Sequence, residues 1–204
     1  MKINRADIVR EALVLLNEVG LDKLSTRAVA VRLGVQQPAI YWHFKNKRAL
    51  MDAMNAEMMR SAHNSRRADE TEDWRSFLLH DTLGFRQALL AIRDGARVHA
   101  GSHAEASDRE TAEKQLRFLT SLGFDAGSAL RMLVTLARFT VGFVLEEQSE
   151  MEHPPLMSDD ELERQPLLAA AVRDYVSTSQ DEFFLDGLNA ILDGFASVYS
   201  RVVR

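Results

Sequence analysis

Cysteine is absent from the 204 residues, which excludes a disulfide framework, a thiolate zinc site and a cysteine nucleophile. Strand patterns are equally scarce: no apolar/polar alternation is sustained, and no Asn-Gly hairpin turn occurs. The signatures G-x-S-x-G and H-E-x-x-H and a phosphate-binding glycine loop are all missing. An enzyme would be left with little more than His99 and the nearby Asp94 as an acid/base pair, so no enzyme is expected. There is no internal repeat and no low-complexity tract. "MKINRADIVREAL" enters a helical pattern at once and does not resemble a signal peptide. The most apolar stretch, "SALRMLVTLARFTVGFVLEE", carries Arg131 and Arg138 and reads as too short and too charged to span a bilayer. The expected location is the cytoplasm, with no membrane partner.

What is present is helical periodicity and an uneven charge. Apolar residues make up 46% of the chain, enough for a sizeable core. Residues 1–50 hold nine Lys/Arg against four Asp/Glu, whereas the remainder holds 16 against 26. A net charge of −5 therefore conceals a basic head on an acidic body, an arrangement that favours phosphate contact at one end. A first helix is predicted from about Arg5 to Val19, stopped by Gly20. Ser25 can cap a second, "TRAVAVRL", which Gly34 ends, and Pro38 suits the first turn of a third. "NKRALMDAMNAEMMRSAH" reads as a connecting helix. Further helices are predicted at about 74–90, 92–99, 108–121, 125–147 and 181–203. The acidic segment "SEMEHPPLMSDDELERQP", with two adjacent prolines, reads as a mobile loop over 148–165.

Two short helices joined by a glycine turn and packed on a longer one form a helix-turn-helix, whose second helix enters the DNA major groove. Gln37 can then read a base edge, Pro38 and Ala39 can meet a thymine methyl, and Arg27 can reach guanine. Thr26, Tyr41, His43, Lys45 and Lys47 can contact phosphates. Trp42 is expected both to pack against the first helix and to border the DNA backbone. The alternative is a small basic head that docks onto something other than DNA.

In the body, the face Trp74, Phe77, Asp81, Phe85 has a carboxylate in an apolar stripe, and Gln115 interrupts Thr111, Gln115, Phe118, Leu122 in the same way. Two such interruptions are explained either by a shared cavity with fixed polar groups or by two partly solvated faces. The last helix carries Phe184, Leu188, Ile191, Phe195, Val198 and Val202, widened by Leu185, Leu192 and Tyr199. A monomer could bury this stripe internally. The expected arrangement is instead an intermolecular helix bundle, whose two-fold symmetry presents two heads to a palindromic operator.

"LSTRAVAVRLGVQQPAIYWHFKNKRALMDAM" resembles the DNA-binding head of the tetracycline-repressor family. The likeness continues through "WRSFL", "FRQALLAIRDGARVHAG", "QLRFLTSLGF", "FTVGFVLEEQ", "PLLAAAV" and "FFLDGL". The resemblance implies an all-α fold: a three-helix helix-turn-helix DNA-binding head over 1–46, and a ligand-binding and dimerisation body over 47–204. The connecting helix 47–63 joins the two, and a four-helix bundle forms the dimer interface. It implies a homodimeric repressor of double-stranded operator DNA, released by a small-molecule inducer, a tetracycline–magnesium chelate or a related compound. His63, Asp81, Phe85 and Gln115 would meet one end of the drug. His99 would coordinate its magnesium, and Glu146 would act through water from the other subunit. Ser102 also fits the family pattern. No intrinsic cofactor is implied, since magnesium arrives as part of the chelate.

Three residues depart from that pattern. Asp81 stands where the family has asparagine and, when ionised, can only accept hydrogen bonds. His103 and Ala104 replace an Arg-Pro pair in the segment where the family's magnesium-linked switch begins. The departures point to an altered tetracycline or to another inducer, with a constitutive DNA-binding protein as the remaining reading.

Overall fold

A computed structural model describes residues 3–63, 72–103, 106–152 and 164–199. Ten helices and no strand occur among the described residues: α1 (Arg5–Val19), α2 (Thr26–Arg32), α3 (Gln37–Tyr41), α4 (Lys47–His63), α5 (Trp74–Leu90), α6 (Gly95–Ala100), α7 (Ala106–Ser121), α8 (Ala126–Glu152), α9 (Pro166–Ser177) and α10 (Gln180–Val198). The chain divides into two compact units, residues 1–145 and 146–204.

In the first unit, local signals set the helix ends. The Asn4 side chain accepts from the Asp7 N–H and opens α1, and Gly20, at φ 78°, closes it. The Ser25 side chain accepts from the Ala28 N–H and opens α2, after which Gly34, at φ 66°, turns the chain. Proline in the first turn of α3 costs no helical hydrogen bond. Ile8, Ala12 and Leu16 of α1 share one core with Val29, Ile40, Phe44, Leu50 and Met54. The core continues through Met58 of α4 to Leu89 and Val98, so the head and the body are built on a single apolar interior.

A polar clasp also fixes the head to the body. The Arg97 guanidinium donates to Asp22 at 2.7 Å and to Asp94 at 2.8 Å, and the other Asp94 oxygen accepts from the Leu21 N–H at 2.7 Å. Arg97 holds the Asp22 carboxyl below the usual carboxylate range. Asp94 is thus committed to the clasp and forms no acid/base pair with His99.

The long α8 runs to Glu152, so residues 148–152 are helix and not the start of the loop expected over 148–165; residues 153–163 of that segment lie outside the described residues. An 18-residue window within Ala126–Glu150 has a mean hydropathy of 1.5, so this helix is long and apolar enough to cross a membrane, contrary to the expectation from sequence. Its buried row of Ala129, Met132, Leu136, Thr140 and Val144 is nevertheless that of a core helix.

In the second unit α9 has no counterpart among the predicted helices. Pro166 starts it, and the Tyr175 hydroxyl donates to Glu150 at 3.2 Å. A capping box between Ser179 and Glu182 opens α10. Of the C-terminal stripe, Phe184, Leu188 and Leu192 are buried within the chain itself, whereas Val198 is 73% exposed. Val202 lies outside the described residues.

Candidate functional site

A cavity of about 350 Å³ opens between α4, α5, α6, α7 and α8, within the size range of small-molecule sites. Its apolar wall comes from Met59, Phe85, Leu133, Leu136 and Ala137. Its polar lining brings together Asn55, Asp81, Thr82, His99, Ser102, Asp108, Thr111 and Gln115. The two interruptions seen in sequence meet here: Gln115 Nε2 donates to Asp81 Oδ2 at 2.8 Å. One turn along α5, the Phe85 ring lies edge-on to the His99 ring with centroids 5.0 Å apart.

His99 is fixed by a residue the sequence reading missed. Asn55 is 3% exposed, and its Oδ1 accepts from His99 Nδ1 at 2.9 Å. A proton on Nδ1 leaves Nε2 with the lone pair, the form that binds a metal. Burial holds the His99 imidazole below its usual value, against the opposing pull of the Asp108 charge, so the ring is neutral where a metal ligand must be. Asn55 could have been found as a polar break in the methionine-rich row of α4, and Asp108 as a charge two turns before Gln115 on the same face of α7. Among the described residues no group of three or more His, Asp or Glu could hold a metal by itself. One imidazole fits a cation that brings most of its own ligands.

The other expected pocket residues sit differently. The Ser102 hydroxyl donates to the His99 carbonyl at 2.9 Å. His103 does not line the cavity and turns to α4: its N–H donates to Asp52 at 2.8 Å, and the Arg48 guanidinium lies against its ring at 2.9–3.0 Å. With His99 on Asn55, these contacts sew the end of α6 to one face of α4. The side chain of His63 and all of Ala104 lie outside the described residues. Glu146 is exposed on α8 in the second unit.

On the head, Thr26 is 7% exposed, and its hydroxyl accepts from Gln37 Nε2 at 3.1 Å, with the Tyr41 hydroxyl 3.4 Å away. The first turn of α3 is thereby tied to the start of α2. Arg27, Pro38, Tyr41, His43, Lys45 and Lys47 are exposed around it, with Ala39 half-buried. The Lys47 ammonium donates to the Leu21 carbonyl at 3.3 Å. Trp42 does not pack against α1: it is 88% exposed, because Ile40 and Phe44 on either side fill the core. An indole so exposed beside cationic side chains suits a backbone or base contact.

Residues 67–199 match the family "Tetracyclin repressor-like, C-terminal domain", and residues 8–54 match "Bacterial regulatory proteins, tetR family". The chain is 48% identical to the tetracycline repressor protein class A from transposon 1721 of Escherichia coli, over 96% of this chain and 91% of that protein. It is 41% identical to the class G repressor of Vibrio anguillarum, over 99% and 98%. Among solved structures, a repressor from Acinetobacter baumannii superposes with a TM-score of 0.80 at 41% identity, over 97% of this chain and 98% of that one. A class A repressor in complex with 5a,6-anhydrotetracycline and magnesium superposes at 0.73 with 44% identity, over 97% and 99%. With both halves matched and the helix-turn-helix and pocket in place, the chain belongs to the tetracycline-repressor family of DNA-binding transcriptional repressors.

Proposed function

We propose that the protein acts in the cytoplasm as a homodimer on a palindromic operator and is released by a tetracycline–magnesium chelate. The observation that carries this reading is the pocket: an edge-on Phe85, a neutral His99 held by Asn55, and a hydrogen-bonded Asp81–Gln115 pair line one cavity. His99 Nε2 would take one position on the ion, and the drug's oxygens and water would fill the rest of an octahedral shell. Glu146 of a second copy would add a water-mediated contact, and His63 would join the Asp81 end. The apolar side chains left exposed in the second unit, Leu167, Leu168, Val176, Phe183 and Val198, are the surface a second copy would cover.

Because α6 is sewn to α4 through His99–Asn55 and His103–Asp52, a chelate that moves His99 pulls on the helix leading to the head. The ligand must bind the moved state better to shift the equilibrium. The departures Asp81, His103 and Ala104 favour a second reading, in which the same repressor answers a different small molecule. Calorimetric titration of the protein with tetracycline separates the two. Tight binding that needs magnesium and is reversed by chelator supports the first reading, and no heat with or without magnesium refutes it.

Two substitutions on the head test its roles. Gln37→Ala should relax discrimination at one operator position by about 1–3 kcal/mol; an equal loss on random DNA would refute base reading. Lys47→Ala should weaken binding to all sequences alike and reduce the slope of log affinity against log salt by about 1.

A further inference from the structure

A second cavity, of about 890 Å³, opens between α1, α4 and α5, again within the size range of small-molecule sites. No described residue lines both this cavity and the His99 pocket. On α4 the two lie back to back. Asn55 lines the His99 pocket, whereas Ala53, Glu57 and Arg60 line the other cavity, ~140–160° around the helix at 3.6 residues per turn. Small side chains leave the space open: a Cβ at Gly84 would meet nothing within 4 Å, and alanine lines the cavity at positions 53, 56, 88 and 91. Val9, Leu13 and Ile92 give it an apolar wall.

The charged residues of the lining are Arg5, Arg10, Arg60 and Glu57. Glu57 is committed to Arg60, from which it accepts at 2.5 and 3.1 Å. Arg10 meets Asp7 of its own helix at 3.4 Å, with its side chain 72% exposed, and Arg5 lies over the Phe44 ring. A guanidinium carries five N–H donors, so these pairs leave Arg10 and Arg60 with donors for a further acceptor. The lining's one carboxylate already faces a guanidinium, so its charge favours an anion over a cation.

We propose that this cavity is a second effector site, for an amphipathic organic acid whose apolar body lies against Val9, Leu13 and Ile92 and whose acid group meets Arg10 and Arg60. The inference does not rest on tetracycline being the inducer. Guanidinium pairs with a carboxylate or sulfonate are charge-assisted and set the orientation of the bound molecule. An occupant here touches α1 of the head, the connecting helix α4 and α5 of the body at once. It therefore favours the arrangement of the three helices that closes on it, and occupancy and operator binding change one another's affinity by the same factor.

The probe is 8-anilinonaphthalene-1-sulfonate, an aromatic monoanion that fluoresces in apolar sites, with N-phenyl-1-naphthylamine as its neutral counterpart. Each is titrated into the full chain as wild type, Gly84→Leu and the double variant Arg10→Gln/Arg60→Gln. Gly84→Leu fills the cavity from α5 and should weaken both probes about tenfold or more. The double variant should weaken the sulfonate about tenfold and leave the neutral probe within about twofold. Circular dichroism checks folding, and Ala91→Leu, at an exposed position of the lining, is the second blocking variant. Sulfonate binding unchanged in both blocking variants places the probe elsewhere and overturns the site. A double variant that weakens both probes alike, or neither, overturns selection for an anion. Saturating sulfonate should shift the operator affinity of wild type about fivefold or more and that of Gly84→Leu by less than about twofold. Operator affinity unmoved in wild type overturns the effector role.

Discussion

Replacing His99 by alanine should abolish magnesium-dependent induction while leaving operator binding intact. The imidazole is the one neutral nitrogen ligand in the described lining of the cavity, and its Nδ1 is anchored on Asn55 at 2.9 Å. Removing the outer partner of a metal-binding histidine costs about 10–100-fold in affinity, so removing the histidine itself should cost at least about 100-fold. Asn55→Ala should reproduce the lower figure by releasing the ring orientation. Both residues lie outside the helix-turn-helix helices α1–α3, so affinity for operator in the absence of drug should remain within about twofold of wild type. Titrations of drug at fixed magnesium, paired with operator titrations without drug, check both statements. A His99→Ala protein that still binds the chelate with wild-type affinity would place the cation elsewhere.

Gly95→Ala should be strongly destabilising, since a Cβ there makes the tightest contact with backbone found at any of the described glycines. Gly95 is buried at the start of α6, and a Cβ there would sit 2.1 Å from the Leu89 carbonyl oxygen. That oxygen belongs to the backbone of a residue with no exposed surface, so neither side can give way without moving α5 against α6. Asp94, just before it, is already held at φ 57° by the clasp to Arg97 and Leu21, which blocks an escape by rotating the turn. Overpacking of this kind costs about 3 kcal/mol. At this chain length that corresponds to a fall in Tm of roughly 6–12 °C. Gly84→Ala on α5, where a Cβ would meet nothing within 4 Å, is the control and should be neutral or stabilise by up to about 1 kcal/mol. Thermal denaturation of both variants tests the contrast, and equal Tm values would contradict it. Any folded Gly95→Ala protein should also bind inducer more weakly, because His99 lies one turn along the displaced helix.

The head was legible because its signals are local. Ser25, Gly34 and Pro38 each fix a helix end through a contact within three or four residues, and α1, α4 and α5 run as their apolar spacing predicts. The Asp81–Gln115 pair was half legible. A polar residue within an apolar stripe announces a partner, but which partner lies 34 residues away is decided by the packing of α5 on α7. Trp42 was misread for the same reason, since an aromatic residue in a short helix reads as core until the neighbouring Ile40 and Phe44 are seen to fill the space. The helix α9 was missed beside a proline-bearing acidic segment, although Pro166 at its first turn followed by "LLAAAV" is a helix start. The turn of His103 away from the cavity toward Arg48 and Asp52 could not be read at all. It depends on the direction in which the chain leaves α6, and nothing local in "GSHAEA" sets that direction.

On the proposed function, a chelate bound at His99 drives the head off DNA through the α6–α4 contacts. The most direct test is fluorescence anisotropy of a labelled palindromic tetracycline-type operator bound by the intact protein, titrated with tetracycline in the presence of magnesium. The anisotropy should fall to that of free DNA as the pocket saturates, with rebinding when chelator removes the metal. Operator retained at drug and magnesium concentrations that saturate the pocket would contradict it.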